Sequence, residues 1–292
     1  MNLLLLLQIF LFLTLTLFSQ KTQNNLPENE KEIKVIFSKS SFHNIKTEDA
    51  HATSQILANH IKKLKNIKSD FKVEIVTGDK EILESCSNGF DMILLTTEEY
   101  LRLKKKLPVE PFCVNYSNSL YGYVYHLIVN SNDKITDISQ LKGETIYIQS
   151  NSEDQAATKW LRKLLKDAKL KAMDVFFKDI ILSNKATNVL LPVFFNKAKA
   201  CIVTNSSLSL LKELNPGISN QTKIINTSEP LILGITCLNS QNTNSDNYKV
   251  MKDILPILHE NQYGKQLLQL FGADKLILFK EEYLNSYYKL LE

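Results

Sequence analysis

Glycine is scarce in this chain, eight in 292 residues, and proline numbers seven. So few glycines leave little material for loops that cradle phosphate by close backbone approach, and no Walker loop, G-x-G-x-x-G or G-x-S-x-G occurs. The five histidines, His43, His51, His60, His126 and His259, form no H-E-x-x-H or other ligand pair. The four cysteines, Cys86, Cys113, Cys201 and Cys237, stand far apart without a C-x-x-C, which argues against zinc. Cys113, Cys201 and Cys237 lie in apolar runs and read as small core residues. No nucleophile and base converge, so the expectation is no catalytic residue, no metal ligand and no cofactor. Long runs of one charge are also missing. Lys104-Lys105-Lys106 is the densest basic run and suits a solvated helix end, and a net charge of +4 argues for no nucleic-acid patch.

What is present is an ordinary globular composition, 44% hydrophobic and 23% charged, in a length for one large domain or two small ones. Leu3–Phe18 is apolar, broken by Gln8, Thr14 and Thr16, and the first charged residue is Lys21. The run is short for a span and ends near small polar residues. It reads as a secretory signal peptide over 1–19, cut after Ser19, with an uncleaved anchor as the alternative. It lacks a basic n-region, and no cysteine follows it to take a lipid. Residues 20–31 read as a linker, and the body from Glu28 onward is expected outside the cytoplasmic membrane. That compartment permits a disulfide, with no pairing legible from spacing.

Strand and helix patterns then alternate. Strands are expected at Glu32–Phe37, Lys72–Val76 and Asp91–Leu95, with helices at 48–64, 79–86 and after Thr96, where Glu99 completes a capping box. Tyr121–Val129 reads as one long strand, Ile138–Leu141 as a helical turn before the Lys142-Gly143 bend, and Thr145–Gln149 as a strand. A helix follows over Ser150–Leu165, with a capping box at Ser152 and Gln155, and then a short strand at Asp174–Phe177. In Asn188–Pro216 a helix bent by Pro192 stops at Asn196, a residue suited to the left-handed conformation. Ala200–Val203 follows as a short buried run, and a helix over Leu208–Leu214 is capped from Thr204–Ser207 and ended by Asn215-Pro216. Lys223–Asn226 and Leu231–Leu238 are apolar runs, and the chain from Asp246 reads as mostly helical.

This alternation is that of an α/β protein with parallel sheet. In such sheets ligands sit beyond the strand C-termini, where helix N-termini present free N–H groups. Three strand-to-helix loops offer short hydroxyls and donors there: Ser38, Lys39, Ser40 and Ser41; Thr96 and Thr97; and Ser150, Asn151 and Ser152. The same hydroxyls also fit caps that serve only the backbone, and the acids Glu98-Glu99 and Glu153-Asp154 would oppose a doubly charged ligand.

The words LPVFFNKAKACIV and LKELNP resemble the phosphate/phosphite/phosphonate substrate-binding protein family of ABC importers, and most closely its uncharacterised members. FDMILLTTEEYL, ISQLKGETIYIQSNS and Thr227-Ser228-Glu229-Pro230 agree, the LKG turn being common to the wider type 2 periplasmic binding proteins. The resemblance implies two α/β lobes, a central hinge and an interlobe cleft. Lobe 1 would hold 32–118 and 229–292, and lobe 2 would hold 119–228. The crossings are placed near Ser117–Tyr121 and Asn226–Pro230, with Tyr121 as a contact at the first. It also implies a ligand-facing segment at Ser183, Asn184 and Lys185, although a solvent-facing Lys185 is the plainer alternative. The implied function is extracytoplasmic capture of a small ligand, in this family a phosphorus oxyanion, by a monomer that hands it to a membrane permease. The alternatives are a sensing partner of a receptor or kinase and, less favoured, an enzyme on the same fold. The family's G-x-A-D becomes Asn196-Lys197-Ala198-Lys199, and Glu153 stands where a glycine is expected, so ligand identity does not carry over.

Overall fold

The computed structural model describes residues 32–42, 47–64, 66–117, 119–150, 155–262, 264–265, 268 and 272–292. The expected signal segment, the whole linker, His43, Asn151 and Ser152 lie outside these.

The chain builds two sheets. In the first, β1 (Ile33–Ser38) lies between β2 (Phe71–Val76) and β3 (Met92–Thr96), all parallel. Helices α1 (Thr47–Leu64), α2 (Gly78–Ser87) and α3 (Thr97–Leu103) complete this half. β1 reads IKVIFS with only Lys34 less than fully buried, the continuous apolar run of a strand covered on both faces. In the second sheet β7 (Thr145–Gln149) lies between β8 (Asp179–Ser183) and β9 (Ala200–Thr204), again parallel. Helices α4 (Ala156–Asp167), α5 (Met173–Phe176), α6 (Ala186–Phe194), α7 (Asn205–Leu214) and α8 (Gly217–Gln221) belong to this half.

Each parallel triplet is extended by antiparallel strands. β4 (Val109–Ser117) joins the first sheet, and β6 (Tyr125–Asn130) and β10 (Thr222–Thr227) join the second. β11 (Gly234–Asn239) returns to lie between β3 and β4, and β12 (Lys275–Leu278) adds beyond β4. The strand orders are β12-β4-β11-β3-β1-β2 and β10-β6-β9-β7-β8. Each lobe thus repeats one plan, in which the third parallel strand pairs with an antiparallel strand that enters directly from a crossing.

The first crossing is tighter than one long strand over Tyr121–Val129 would allow. A short β5 (Leu120–Tyr121) folds back on β4, and Gly122 at φ +93° turns the chain before β6 begins. The second crossing meets it. Tyr123 and Leu231 exchange two main-chain bonds, each 2.9 Å, and Ser228 exchanges a further pair with Tyr125. A Cβ on Gly122 would lie 2.4 Å from the Leu231 carbonyl oxygen, so the close approach requires glycine.

Several expectations are corrected. Asp174–Phe177 is no strand, because Met173–Phe176 forms a helical turn that buries Phe176 and Phe177 in the core of the second lobe. The strand is Asp179–Ser183, whose sheet-edge position leaves Leu182 exposed and blurs its apolar pattern. β4 escapes the pattern because Pro111 interrupts it. β12 interrupts the helical C-terminus. Asn196 does adopt φ +53°, and Pro192 lies inside α6. The cost of a helical proline, about 3 kcal/mol, is exceeded by burial of Val189, Leu190 and Val193 at roughly 1.5–3 kcal/mol each.

The helix α9 (Asn285–Lys289) closes the back of the hinge. Tyr287 is 2% exposed within the core of the second lobe, and its hydroxyl donates to Glu98 Oε1 of α3 at 2.7 Å. Lys159 of α4 pairs with the same oxygen at 2.7 Å. Near the end of β1, the Ser38 hydroxyl donates to Glu99 Oε1 at 2.7 Å while Thr96 N–H donates to Glu99 Oε2 at 2.9 Å.

Gly122→Ala is expected to lower the unfolding free energy in urea by about 1–3 kcal/mol, because positive φ and a backbone clash coincide. Ser38→Ala should cost about 1–3 kcal/mol in the same measurement by leaving a buried carboxylate short of one donor.

Candidate functional site

Two adjoining hollows open beside the crossings, the larger of them between the lobes. The larger holds about 170 Å³ and takes Asn115 and Ser117 from β4, Gly122 and Tyr123 from the crossing, and Asn205 and Ser206 from α7. Gly272, Ala273 and Asp274, just before β12, close its remaining side. The smaller, about 40 Å³, shares Asn115, Gly122 and Tyr123 and adds Ser41, Leu94 and Ile232–Gly234. Together they stay below the roughly 300 Å³ of drug-sized pockets, so the space suits a small solute.

The backbone explains why these side chains converge. β9 ends at Thr204, whose hydroxyl caps α7 by accepting from Ser207 N–H at 3.2 Å. That cap places Asn205 and Ser206 at a helix N-terminus on the rim of the cavity. Gln149 at the end of β7 locks the junction, accepting from Thr204 N–H and donating to Ser207 Oγ at 2.8 Å. Across the cavity Asp274 is held by its N–H bond to Tyr116 O at 2.9 Å. Ser41 follows β1 in a 3-10 turn, and its Oγ is buried with no hydrogen-bond partner among the described residues. Buried hydroxyls are ordinarily bonded, so Ser41 Oγ is a group that a ligand or water in the smaller hollow can satisfy.

The chemistry of the lining is hydroxyl, amide and phenol, with Asp274 as the one charged group among the described lining residues. It can accept and donate hydrogen bonds on all sides. Among the described residues no group of three His, Cys, Asp or Glu could hold a metal ion. The four thiols are buried and free, with burial pushing Cys86 up to about 11, Cys113 up to about 12, and Cys201 and Cys237 higher still. They are poor nucleophiles and poor ligands.

The residues expected from sequence are distributed differently. Ser38 is fully buried and its hydroxyl serves Glu99 and Ser40 N–H. Lys39 and Ser40 are half-buried in the 3-10 turn that leads to Ser41. Thr96 caps α3 in a full capping box, and Thr97, 1% exposed, donates its hydroxyl to Ile232 O at 2.6 Å. Tyr121 stacks on Tyr283 with ring centroids 4.1 Å apart. Ser150 is buried at the end of β7, where its N–H donates to Ser183 O. Asn184 and Lys185 are exposed beyond β8, two strand spacings or roughly 10 Å from β9.

Sequence reasoning missed Asn115, Ser117, Tyr123, Asn205, Ser206 and Asp274. Asn205 and Ser206 carried the strand-end signal of the other loops, but were taken for capping alone. Asn115 and Ser117 come from the antiparallel strand β4, and Asp274 directly precedes the antiparallel strand β12, so the rule for parallel strand ends does not apply.

A larger hollow of about 720 Å³ lies at the far end of α4, lined by Arg162, Lys166, Lys169 and Lys171 over Leu165, Leu170 and Met173. It belongs to one lobe, touches neither crossing, and is open to solvent.

Residues 44–284 match the family described as ABC transporter, phosphonate, periplasmic substrate-binding protein. No curated protein sequence matches the chain. Among solved structures, PhnD1 from Prochlorococcus marinus (MIT 9301) in complex with methylphosphonate aligns with a TM-score of 0.62 at 13% identity, covering 90% of this chain and 97% of that one. XAC2383 from Xanthomonas citri bound to chloride ion gives 0.62 at 13% identity, covering 89% and 95%. A binding protein component of an ABC phosphonate transporter from Pseudomonas aeruginosa gives 0.59 at 14% identity, covering 89% and 85%. These likenesses show the fold, a two-lobed type 2 periplasmic binding protein. The family match over most of the chain adds the role: this protein belongs to the phosphonate ABC transporter periplasmic substrate-binding family, solute-binding proteins that serve a membrane permease.

Proposed function

We propose that the protein captures one small polar solute in the hollows beside the crossings and closes its lobes, 32–118 with 229–292 against 119–228, around it. The observation that carries this reading is the buried Ser41 Oγ, without a hydrogen-bond partner among the described residues, in a hollow walled by the first lobe and both crossings and adjoining the larger one that Asn205 and Ser206 of the opposite lobe line. Ligand contacts available only in the closed form shift the open–closed equilibrium, which the permease then reads. The protein works by binding alone, as a monomer in the periplasm and without nucleic acid, whether the N-terminal apolar segment is cleaved or retained as a tether. A phosphorus oxyanion fits as a hydrogen-bonded guest, held by hydroxyls, amides and the α7 N-terminus. Ser150, at the end of β7, is a further candidate contact from the second lobe. Ser38, Thr96 and Thr97 serve the backbone and the hinge.

Thermal-shift measurements on the mature protein with phosphate, phosphite, methylphosphonate and small organic solutes test this reading. A true ligand at a hundredfold excess over Kd stabilises by about 2.7 kcal/mol. Ser206→Leu should abolish the shift, and Ser41→Ala should weaken binding by roughly fivefold to tenfold. Stabilisation by no solute, or a shift untouched by Ser206→Leu, would overturn the reading.

A further inference from the structure

The two lobes grip the crossings in matching ways. In each, the first residue of the helix after the third parallel strand binds the entering crossing. Thr97, after β3, donates its N–H to Leu233 O at 3.0 Å and its hydroxyl to Ile232 O at 2.6 Å. Asn205, after β9, donates its N–H to Val124 O at 2.7 Å and accepts Val124 N–H at Oδ1 at 3.3 Å. Both grips therefore hold a crossing by one main-chain and one side-chain bond, next to the Tyr123–Leu231 bridge that joins the crossings.

Their surroundings differ. Thr97 is 1% exposed and sealed in the core, whereas Asn205 is half-buried and lines the larger hollow. The side-chain bonds also differ in kind. The Thr97 hydroxyl donates to a carbonyl at short range in a dry setting. The Asn205 bond is long, and its amide nitrogen remains a donor with no other bond among the described residues. One grip is fixed and the other is open to competition from whatever fills the cavity.

We propose that Asn205 is the positioning residue that couples occupation of the cavity to the hinge: its side-chain oxygen sets the first crossing against the second lobe, and a solute that bonds its amide acts on that crossing directly. The hinge-setting half stands on the bonds between Asn205 and Val124, and the coupling half rests on the proposed solute site. Asp at this position keeps an acceptor for Val124 N–H and also suits a helix N-terminus, whereas Ala removes the acceptor.

The test uses the full-length mature protein. All four native cysteines are buried, so Lys80→Cys in the first lobe and Glu213→Cys in the second take spin labels selectively. In the absence of solute, Asn205→Ala should broaden the interlobe distance distribution, while Asn205→Asp keeps the native one. Val124 amide exchange, followed by NMR, should be roughly fivefold faster in Asn205→Ala and unchanged in Asn205→Asp. Should the Ala protein fail to fold, slow Val124 exchange in native protein and Asn205→Asp against fast exchange in Asn205→Leu carries the same comparison. Unchanged distances and unchanged exchange in the Ala or Leu variant would overturn the hinge role. Methylphosphonate and inorganic phosphate then serve as probes of coupling. A distance shift in the native protein that persists undiminished in Asn205→Ala would overturn the coupling. If neither probe shifts the native protein, the oxyanion reading falls and the solute-free comparison still decides the hinge role.

Discussion

The structure depends on the antiparallel bridge between Tyr123 and Leu231. It holds the two crossings side by side, and it forms only because Gly122 presents no side chain to the Leu231 carbonyl. Everything else at the centre is arranged around that contact. β6 and β11 start within a few residues of it and enter opposite sheets, and the first residues of α3 and α7 reach back to fasten the strands that leave it. Two sheets could pack in many relative orientations. A main-chain contact this close leaves a narrow range, which is what a cleft of defined width requires.

The polar walls of the cleft follow from the same plan. In a parallel triplet the strand ends and helix starts lie at one end of the sheet, so the two lobes face each other with N–H groups and short hydroxyls. Most of these groups are already employed. Thr96, Thr204 and Ser38 serve helix starts, and Thr97 serves a crossing. The remainder of the lining is Ser41, Ser117 and Ser206, the amides of Asn115 and Asn205, and the Tyr123 phenol, with Asp274 opposite. That remainder is uncharged apart from one carboxylate. Recognition here therefore relies on the direction and number of hydrogen bonds and on exclusion of water.

The fold was legible where local signals agreed. The apolar runs of β1, β3 and β9 were read to within a residue or two, as were the Thr96–Glu99 capping box and the left-handed Asn196, because each is fixed by its own neighbours. The failures lie where distant contacts decide. Val175-Phe176-Phe177 has the composition of a strand, yet a helical turn buries both phenylalanines beneath the second sheet. Asp179–Ser183 has a strand's residues but only one neighbour strand, so its pattern is weak. The candidate site was partly legible: the rule of polar strand ends points to the ends of the sheets beside the hollows, whereas the same signal at Asn205 and Ser206 reads as capping alone. Asn115, Ser117 and Asp274 reach the cavity from within or directly before strands placed by long-range antiparallel pairing, and no local pattern carries that information.

The placement of Tyr287 bears on the order in which the molecule assembles. The first sheet lacks β11 and β12 until residues after the second lobe have been made, and the core of the second lobe lacks Tyr287 until the last few residues arrive. Neither lobe is complete on an emerging chain. Such non-local closure slows folding and keeps the early chain loose. Completion of the two lobes is thereby coupled: Tyr287 seats in the core of the second lobe while its hydroxyl bonds Glu98 of the first, so neither half closes without the other.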